Sequence, residues 1–414
     1  MSIDPNIPLD ERLVFEPEEW EDGPPVELFR RLRSECPVHW SSHMDEFPEE
    51  AGYWSVTTAD HVYEVSRDWQ TYSSAQGFTA ITEGILPLAL QQGMFIGMDP
   101  PKHDRIKALF QRGFTPKRIA EHEDEIRSIT RDVLDRLDGR DTCDLVDDVA
   151  QPVVARVICR FMGLPPDDDV LWAQLINTII GANDPGVNPE GVQTVMERDV
   201  PEIFARVGQM IAERRESPTD DLTSVLVHAE IDGEKLEEHE IVMGFFLLMA
   251  AGNDSTKATY CSAMRALLDN PDQWQMLLDD PSLVPSAVEE ALRMFPAFAH
   301  FRRTATRDTK LGDQEIRKGD KVVMWYVSSN RDETRYEDPD RFDVTRNPEH
   351  QAFGAGGRHY CLGTALARLE LKILIEETLA RFPQVKIESE PTWVVSGFAN
   401  QLRTLPVRLR PAAA

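Results

Sequence analysis

The chain has 414 residues, of which 41% are hydrophobic, and its formal net charge is −28 at pH 7. This acidic excess argues against nucleic acid and against an anionic membrane as partners, because both require a basic surface. The five cysteines, at positions 36, 143, 159, 261 and 361, are odd in number and lack a Cys-x-x-Cys pair, so neither a disulfide framework nor a zinc site is predicted.

No linker, repeat or low-complexity tract divides the sequence. We therefore expect one domain over residues 1–414, with residues 1–25 as an irregular lead-in. The N-terminal residues lack the positive and apolar regions of an export signal. The longest apolar run, Ile241 to Gly252, is shorter than the about 18 residues that cross a bilayer. These features predict a cytoplasmic protein without a membrane anchor.

The first predicted elements are an amphipathic helix over 26–36 and a strand over 53–57, rich in aromatic and β-branched residues. Residues 73–101 then have the character of a loop that contains many apolar side chains. An apolar loop of this length is typical of a pocket wall. Its larger apolar residues include Phe78, Met94 and Phe95.

A helix is predicted to begin in Asp99-Pro100-Pro101-Lys102-His103 and to end near Gly113, because prolines are well tolerated in a first helical turn. His103 and Lys107 are four residues apart and therefore share one helix face. A solvated basic face is the alternative interpretation of that pair. Further helical patterns extend to Arg215, and glycine, asparagine and proline interrupt them over residues 181–189.

A long helix is predicted from Glu240 to Asn270, and its apolar stretch is interrupted by Gly252-Asn253-Asp254-Ser255-Thr256. Burying a polar group without a hydrogen-bond partner destabilises the fold by on the order of a few kcal/mol. Polar residues at these positions therefore require a structural or functional explanation. A hydrogen bond from Ser255 to the carbonyl of Ala251 would open the helix and leave room for a small ligand. A simple helix bend is the alternative.

Residues 352–363 read Ala-Phe-Gly-Ala-Gly-Gly-Arg-His-Tyr-Cys-Leu-Gly and lead into a helix that begins near Thr364. This position places Cys361 at a helix N-terminus, where the dipole favours the thiolate. Three interpretations remain open for Cys361: a buried structural cysteine, a catalytic nucleophile, and a thiolate ligand of haem iron.

The segment resembles the haem-binding motif of the cytochrome P450 family: Phe353, a run of glycines, a basic residue (His359) two before Cys361, and Gly363 two after it. The Asp-Pro-Pro-x-His segment, the Asp254-Ser255 pair and Glu290-x-x-Arg293 resemble other motifs of the family, in the same order. The resemblance implies a mainly α fold with a small β region, a single-domain haem-thiolate fold.

The resemblance also implies roles for individual residues. Cys361 would be the thiolate ligand of haem b, and Asp254, Ser255 and Thr256 would deliver protons to bound oxygen. The implied cofactor contacts are His103, Lys107, Arg303, His359, Phe353 and Gly363. The implied substrate contacts are Phe78, Met94, Phe95, Leu247, Ala251, Ala299 and Phe398, with residues 181–187 as a lid. A structural triad of Glu290, Arg293 and Arg341 would support the cysteine side of the haem.

The function implied is a haem-thiolate monooxygenase, presumed monomeric in this type, that inserts one oxygen atom of O2 into an unactivated C–H bond. Lys and Arg are absent between Arg67 and Lys102 and between Arg160 and Arg198, which favours a neutral lipophilic substrate such as a terpenoid, steroid or branched hydrocarbon. Electrons would come from a ferredoxin and its reductase. The basic patch expected to dock an acidic ferredoxin comprises Arg105, Lys107, Arg112, Arg358 and Lys372.

Two functions from other classes compete with this interpretation. A cysteine-nucleophile hydrolase would use Cys361 with His359 or His103 as the base. A non-catalytic haem sensor would bind haem without turnover, but it would have no use for the Asp254-Ser255 pair.

Overall fold

The computed structural model describes residues 8–9, 14–44, 47–81, 87–165, 168–180, 190 and 192–410. The predicted hinge and lid over residues 181–189 lie outside these ranges. Helices predominate. They are α1 (Val26–Glu35), α2 (Ala59–Arg67), α3 (Leu88–Gly93), α4 (Lys102–Gln111), α5 (Pro116–Glu121), α6 (Glu123–Asp135), α7 (Gln151–Met162), α8 (Asp169–Ile180), α9 (Val192–Thr194), α10 (Val200–Glu216), α11 (Leu222–His228), α12 (Glu238–Asp269), α13 (Pro271–Asp279), α14 (Val284–Met294), α15 (Tyr326–Ser329) and α16 (Thr364–Arg381).

The strands are short. They are β1 (Val38–Ser41), β2 (Tyr53–Val56), β3 (Tyr72–Ser73), β4 (Thr142–Asp144), β5 (Glu230–Ile231), β6 (Glu234–Lys235), β7 (His300–Ala305), β8 (Thr309–Leu311), β9 (Gln314–Ile316), β10 (Lys321–Trp325), β11 (Lys386–Ile387), β12 (Thr392–Trp393), β13 (Leu402–Thr404) and β14 (Pro406–Arg408). The largest sheet has the order β1-β2-β10-β7-β3, in which only β2 and β10 run parallel. The predicted fold class, mainly α with a small β region, is confirmed.

The long helix α12 confirms the helix predicted over 240–270. A capping box between Glu237 and Glu240 fixes its first turn, because each side chain satisfies a backbone N–H that the helix leaves free. The helix packs against α7, α10, α14 and α16 within the main hydrophobic core. In the described part of the chain, no helix combines the length and the hydrophobicity that a bilayer crossing requires.

A second core cluster joins the N-terminal segment to the large sheet. Trp20 stacks on Trp325 of β10 with ring centroids 5.8 Å apart, and Phe29 of α1 packs on the same ring at 5.1 Å.

The predicted loop over 73–101 is wrong in part, because it contains α3 and a 3₁₀ turn at Phe95–Gly97. The segment is therefore a partly helical wall rather than an irregular one.

Candidate active site

A cavity of about 210 Å³ lies between α12, α16, α4, β7 and the loop over residues 352–363. Cys361 lines it and is the one cysteine among the described lining residues. The main chain of this loop folds back on itself, because the N–H of Cys361 donates to the carbonyl of Phe353 at 2.9 Å. Gly354, Gly356 and Gly357 make that path possible, with φ of 91°, 80° and 80° in the left-handed region.

The Cys361 thiol is not set up as a free thiolate. Cys361 is open to the cavity, but the protein around it desolvates the thiol and raises its pKa, and this effect exceeds the opposing effects of the Gly363 N–H and the positive charges of Lys107 and Arg368. The N–H of Gly363, just before α16, lowers the pKa as predicted for a helix N-terminus, but desolvation outweighs it, so the predicted net bias toward the thiolate is wrong. A metal cation bound to the sulfur would deprotonate it outright, so the donor fits a metal ligand better than a nucleophile.

Cationic and imidazole side chains gather on one part of the cavity wall. The rings of His103 and His359 lie 4.2 Å apart, and both residues line the cavity with Lys107 and Arg303. Burial lowers the pKa of both histidines, which favours neutral rings. His103 Nε2 is buried without a hydrogen-bond partner, and no carboxylate pairs with Arg303 among the described residues. Two buried cations that line the cavity without a paired carboxylate in the described part of the chain, Lys107 and Arg303, fit the carboxylates of a cofactor such as haem.

The distal side of the cavity is formed by the interrupted part of α12. Ser255 Oγ donates to the carbonyl of Ala251 at 2.7 Å, which confirms the predicted local hydrogen bond. Ser255 and Thr256 line the cavity, but Asp254 is absent from its described lining. Instead, Asp254 Oδ1 accepts a hydrogen bond from Lys257 Nζ at 2.5 Å, in a largely buried ion pair. The predicted acid is thus held away from the cavity by a neighbour on its own helix.

Glu370 of α16 is a site residue that the sequence analysis missed. Thr256 Oγ1 donates to Glu370 Oε2 at 2.8 Å, and Glu370 lines the cavity. Burial raises the pKa of this carboxyl group to about 8, so it is mainly protonated at neutral pH. The signal was present in the sequence, because Glu370 lies four residues after Leu366 and three before Ile373, on the apolar face of the helix.

Only some of the predicted substrate contacts line the cavity. Phe95, Leu247 and Ala251 line the cavity, whereas Phe78, Met94, Ala299 and Phe398 are not in its described lining. Phe78 and Phe398 lie behind the lining residue Phe301, at ring distances of 6.1 and 5.7 Å. The aromatic lining residues that the sequence analysis missed include Phe114, Phe298, Phe301 and Tyr326.

Alternation along β7 explains part of that error. Phe301 and Arg303 face the cavity, and the alternate residues of the strand, His300 and Arg302, face the opposite side. Ala299, just before the strand, belongs to the second core cluster, which joins the N-terminal segment to the large sheet, and is fully buried there. The predicted contact therefore points into the second core rather than into the cavity.

The predicted triad needs one correction. Glu290 and Arg293 form a fully buried ion pair at 2.7 Å, as expected. The further arginine at Glu290 is Arg346, whose Nε lies 3.2 Å from the carboxylate, whereas Arg341 is exposed and offers only its carbonyl oxygen to Arg293. The chain between residues 341 and 346 turns so that the later arginine reaches inward.

The predicted basic patch is largely neutralised by ion pairs. Arg105 pairs with Glu240, and Arg358 pairs with Asp104 at 2.5 Å. Lys372 lies 3.3 Å from Glu123. Lys107 is buried and donates to loop carbonyls, so it offers no surface charge. Four of the five predicted side chains are therefore ion-paired or buried, while Arg112 is exposed, and the docking of a ferredoxin at this surface stays a prediction.

Comparison with known proteins places the chain in a family. The family model for cytochrome P450 matches residues 273–396. The chain is 37% identical over 403 residues to the putative cytochrome P450 126 of Mycobacterium tuberculosis, which covers 94% of this chain and 95% of that protein. The chain is a cytochrome P450. Its solved structural relatives include a Mycobacterium marinum P450 in complex with pseudoionone, with a TM-score of 0.86, 34% identity and coverage of 92% and 94%.

A functionally described relative of this P450 is the methyl-branched lipid omega-hydroxylase of Mycobacterium bovis, 36% identical over 386 residues, or 92% of this chain and 90% of the relative. The P450 family binds haem b through a cysteine thiolate, and Cys361 is the cysteine that the cavity presents. This P450 is therefore a haem-thiolate monooxygenase that uses O2, and the hydrolase and sensor alternatives no longer apply.

Proposed function

We propose that this P450 hydroxylates a neutral lipophile, such as a terpenoid, steroid or branched hydrocarbon, at an unactivated C–H bond. One observation carries the proposal: away from the cations around His359 and the polar groups of α12 and α16, the described cavity wall is apolar and partly aromatic. The described wall includes Phe95, Ile96, Leu247, Leu248, Phe298 and Phe301. Burying an apolar molecule against such a wall is favourable by about 25 cal/mol per Å² of apolar surface.

The two basic residues nearest this wall in sequence, His300 and Arg302, bind backbone groups elsewhere. Arg302 donates to the carbonyl of Thr79 at 3.2 Å and also to that of Gln76. His300 Nδ1 lies 2.7 Å from the carbonyl oxygen of Gly397, and burial lowers its pKa to about 3, so the ring is neutral. Neither residue lines the cavity, so neither supports recognition of a substrate carboxylate.

The relatives support the same substrate class. One of them is named for a methyl-branched lipid, and one structural relative holds pseudoionone. We extend lipophilic substrates to this chain on the basis of its own apolar wall. Electrons are proposed to come from a ferredoxin and ferredoxin reductase, as in bacterial members that the sequence resembles.

The haem supplies oxygen activation when it is bound, and we propose that polar residues of α12 and α16 handle the protons. Ser255 and Thr256 would present hydroxyl groups to the cavity, and Glu370 would hold a proton at the carboxyl group that accepts from Thr256. Asp254 keeps its proposed role as an acid, but delivery from it requires its carboxylate to leave Lys257.

Substrate-induced spin shifts test the proposed substrate class. A neutral terpenoid or a fatty acid methyl ester should bind more tightly than the matching free acid, because the described wall offers that acid no cation apart from Lys107 and Arg303, which are assigned to the cofactor carboxylates. Much tighter binding of the free acid would contradict the proposal. Product analysis by mass spectrometry, with reductase and with or without ferredoxin, then tests both hydroxylation and the electron donor. Turnover that does not require ferredoxin would contradict the proposal that ferredoxin is the electron donor.

A further inference from the structure

Lys107 of α4 is a buried cation that binds the cysteine loop directly. Its Nζ donates to the carbonyl oxygens of Arg358 at 2.5 Å and of Tyr360 at 2.6 Å, on either side of His359. The residue is 8% exposed, and no carboxylate pairs with it in the described part of the chain. Lys107 therefore binds two loop carbonyls, where the family resemblance predicted only a cofactor carboxylate.

The loop needs such a restraint because its glycines give the backbone many alternatives. Its first part is held by Ser66, which donates to the carbonyl of Gly356 at 2.9 Å. Its last part is tied to α4 by Lys107 and by the ion pair between Arg358 and Asp104. Exposed ion pairs contribute about 0 to 1 kcal/mol, whereas buried hydrogen bonds from a charged donor contribute more. Lys107 is therefore the stronger of these two tethers.

A lysine suits this position better than an arginine would. An ammonium group carries three N–H donors in a tetrahedral arrangement, so two can serve the carbonyls while the third faces the cavity that Lys107 also lines. The planar fork of arginine matches two oxygens of a single carboxylate. We propose that Lys107 is a positioning residue that clamps the Cys361 loop and so keeps the sulfur in the geometry that binds iron. This proposal rests on the haem-thiolate function.

The test uses the haem-loaded full-length protein and the Lys107→Met variant, which keeps the length of the side chain but loses its donors. The absorption spectrum of the ferrous carbon monoxide complex reports thiolate ligation. The rate at which the protein loses this spectrum and gains that of the form without thiolate ligation is measured in dilute urea. We expect conversion about tenfold faster than in the wild type, which corresponds to about 1.4 kcal/mol. The reduction potential should become more negative, because a positive charge beside the iron ligand is lost.

The matched control is Arg303→Gln. This change removes another buried cation of the cavity, one that donates to the carbonyl of Arg302 rather than to the cysteine loop. This control should release haem faster than the wild type, but its haem-bound fraction should convert at the wild-type rate. Wild-type conversion in Lys107→Met, or equally fast conversion in both variants, would overturn the inference, since Lys107 would then be only a cofactor cation.

If Lys107→Met fails to bind haem, Lys107→Arg is the second test variant. It keeps the charge but replaces the tetrahedral donors, so we expect faster conversion with a nearly unchanged reduction potential. Conversion at the wild-type rate would overturn the clamp. A wild-type protein that lacks the thiolate spectrum would instead refute the haem-thiolate function, so the two failures are distinguishable.

Discussion

Replacing Glu370 with glutamine is predicted to change how stability depends on pH. Burial raises the pKa of Glu370 from 4.5 to about 8, despite its hydrogen bond from Thr256. Between these pH values the folded protein retains a proton that the unfolded chain has released. The free energy of unfolding of the wild type therefore falls as pH rises through this window. Glutamine has a similar shape and no proton to lose.

The size of the effect follows from the two pKa values. A tenfold change in proton affinity corresponds to about 1.4 kcal/mol. The burial penalty on Glu370 is then about 1 kcal/mol at pH 5 and roughly 4 kcal/mol at pH 8. The variant should gain stability over the wild type by this growing amount, added to whatever constant difference the amide group causes.

Urea unfolding of the haem-loaded proteins at several pH values from 5 to 8, followed by circular dichroism, measures the difference. Glu377→Gln on the same helix is the control: partial burial raises its carboxyl pKa, but hydrogen bonds from Arg131 and Arg127 outweigh this and lower it. Its contribution is present above the unfolded pKa and is lost only in acid, so its difference from wild type should stay flat over this range. A flat profile for Glu370→Gln as well would refute the assigned pKa.

Three further predictions address the corrected site. Arg346→Met should lower the free energy of unfolding by about 2 kcal/mol, and Arg341→Met by under about 0.5 kcal/mol; the reverse order in urea unfolding would restore the original triad. Phe298→Ala should weaken the spin-shift affinity for a neutral terpenoid roughly tenfold, whereas Phe398→Ala, behind the wall, should have a smaller effect; equal losses would place both rings at the substrate. Ser255→Ala should lower the product formed per NAD(P)H consumed while affinity stays within about twofold, and an unchanged ratio would argue against its hydroxyl in proton delivery.

The sequence predicted best the features that depend on neighbouring residues. The span of α12, the bond from Ser255 to Ala251 and the start of α16 all follow from local periodicity and hydrogen bonding. Cys361 was recognised as a site residue because the glycines around it are close in sequence. The direction of its pKa was not, because burial by distant elements outweighs the local helix dipole.

Long-range packing accounts for the remaining errors. The choice of Arg346 over Arg341 depends on the path of a loop, in which Arg346 also donates to the carbonyl of Glu337. The pairing of Arg105 with Glu240 joins residues 135 positions apart, and no local pattern identifies such partners. Charges counted along the chain therefore overstated the positive surface.

The alternation along β7 assigns two different roles to neighbouring side chains. Side chains at 301 and 303 line the cavity, while His300 and Arg302 tie the strand to the backbone of residues 76–80 and 397. Substrate preference can therefore drift at Phe301 while the neighbouring anchors stay fixed. A library randomised at 298 and 301 should yield many folded enzymes with new preferences, and one randomised at 300 and 302 should yield few folded enzymes.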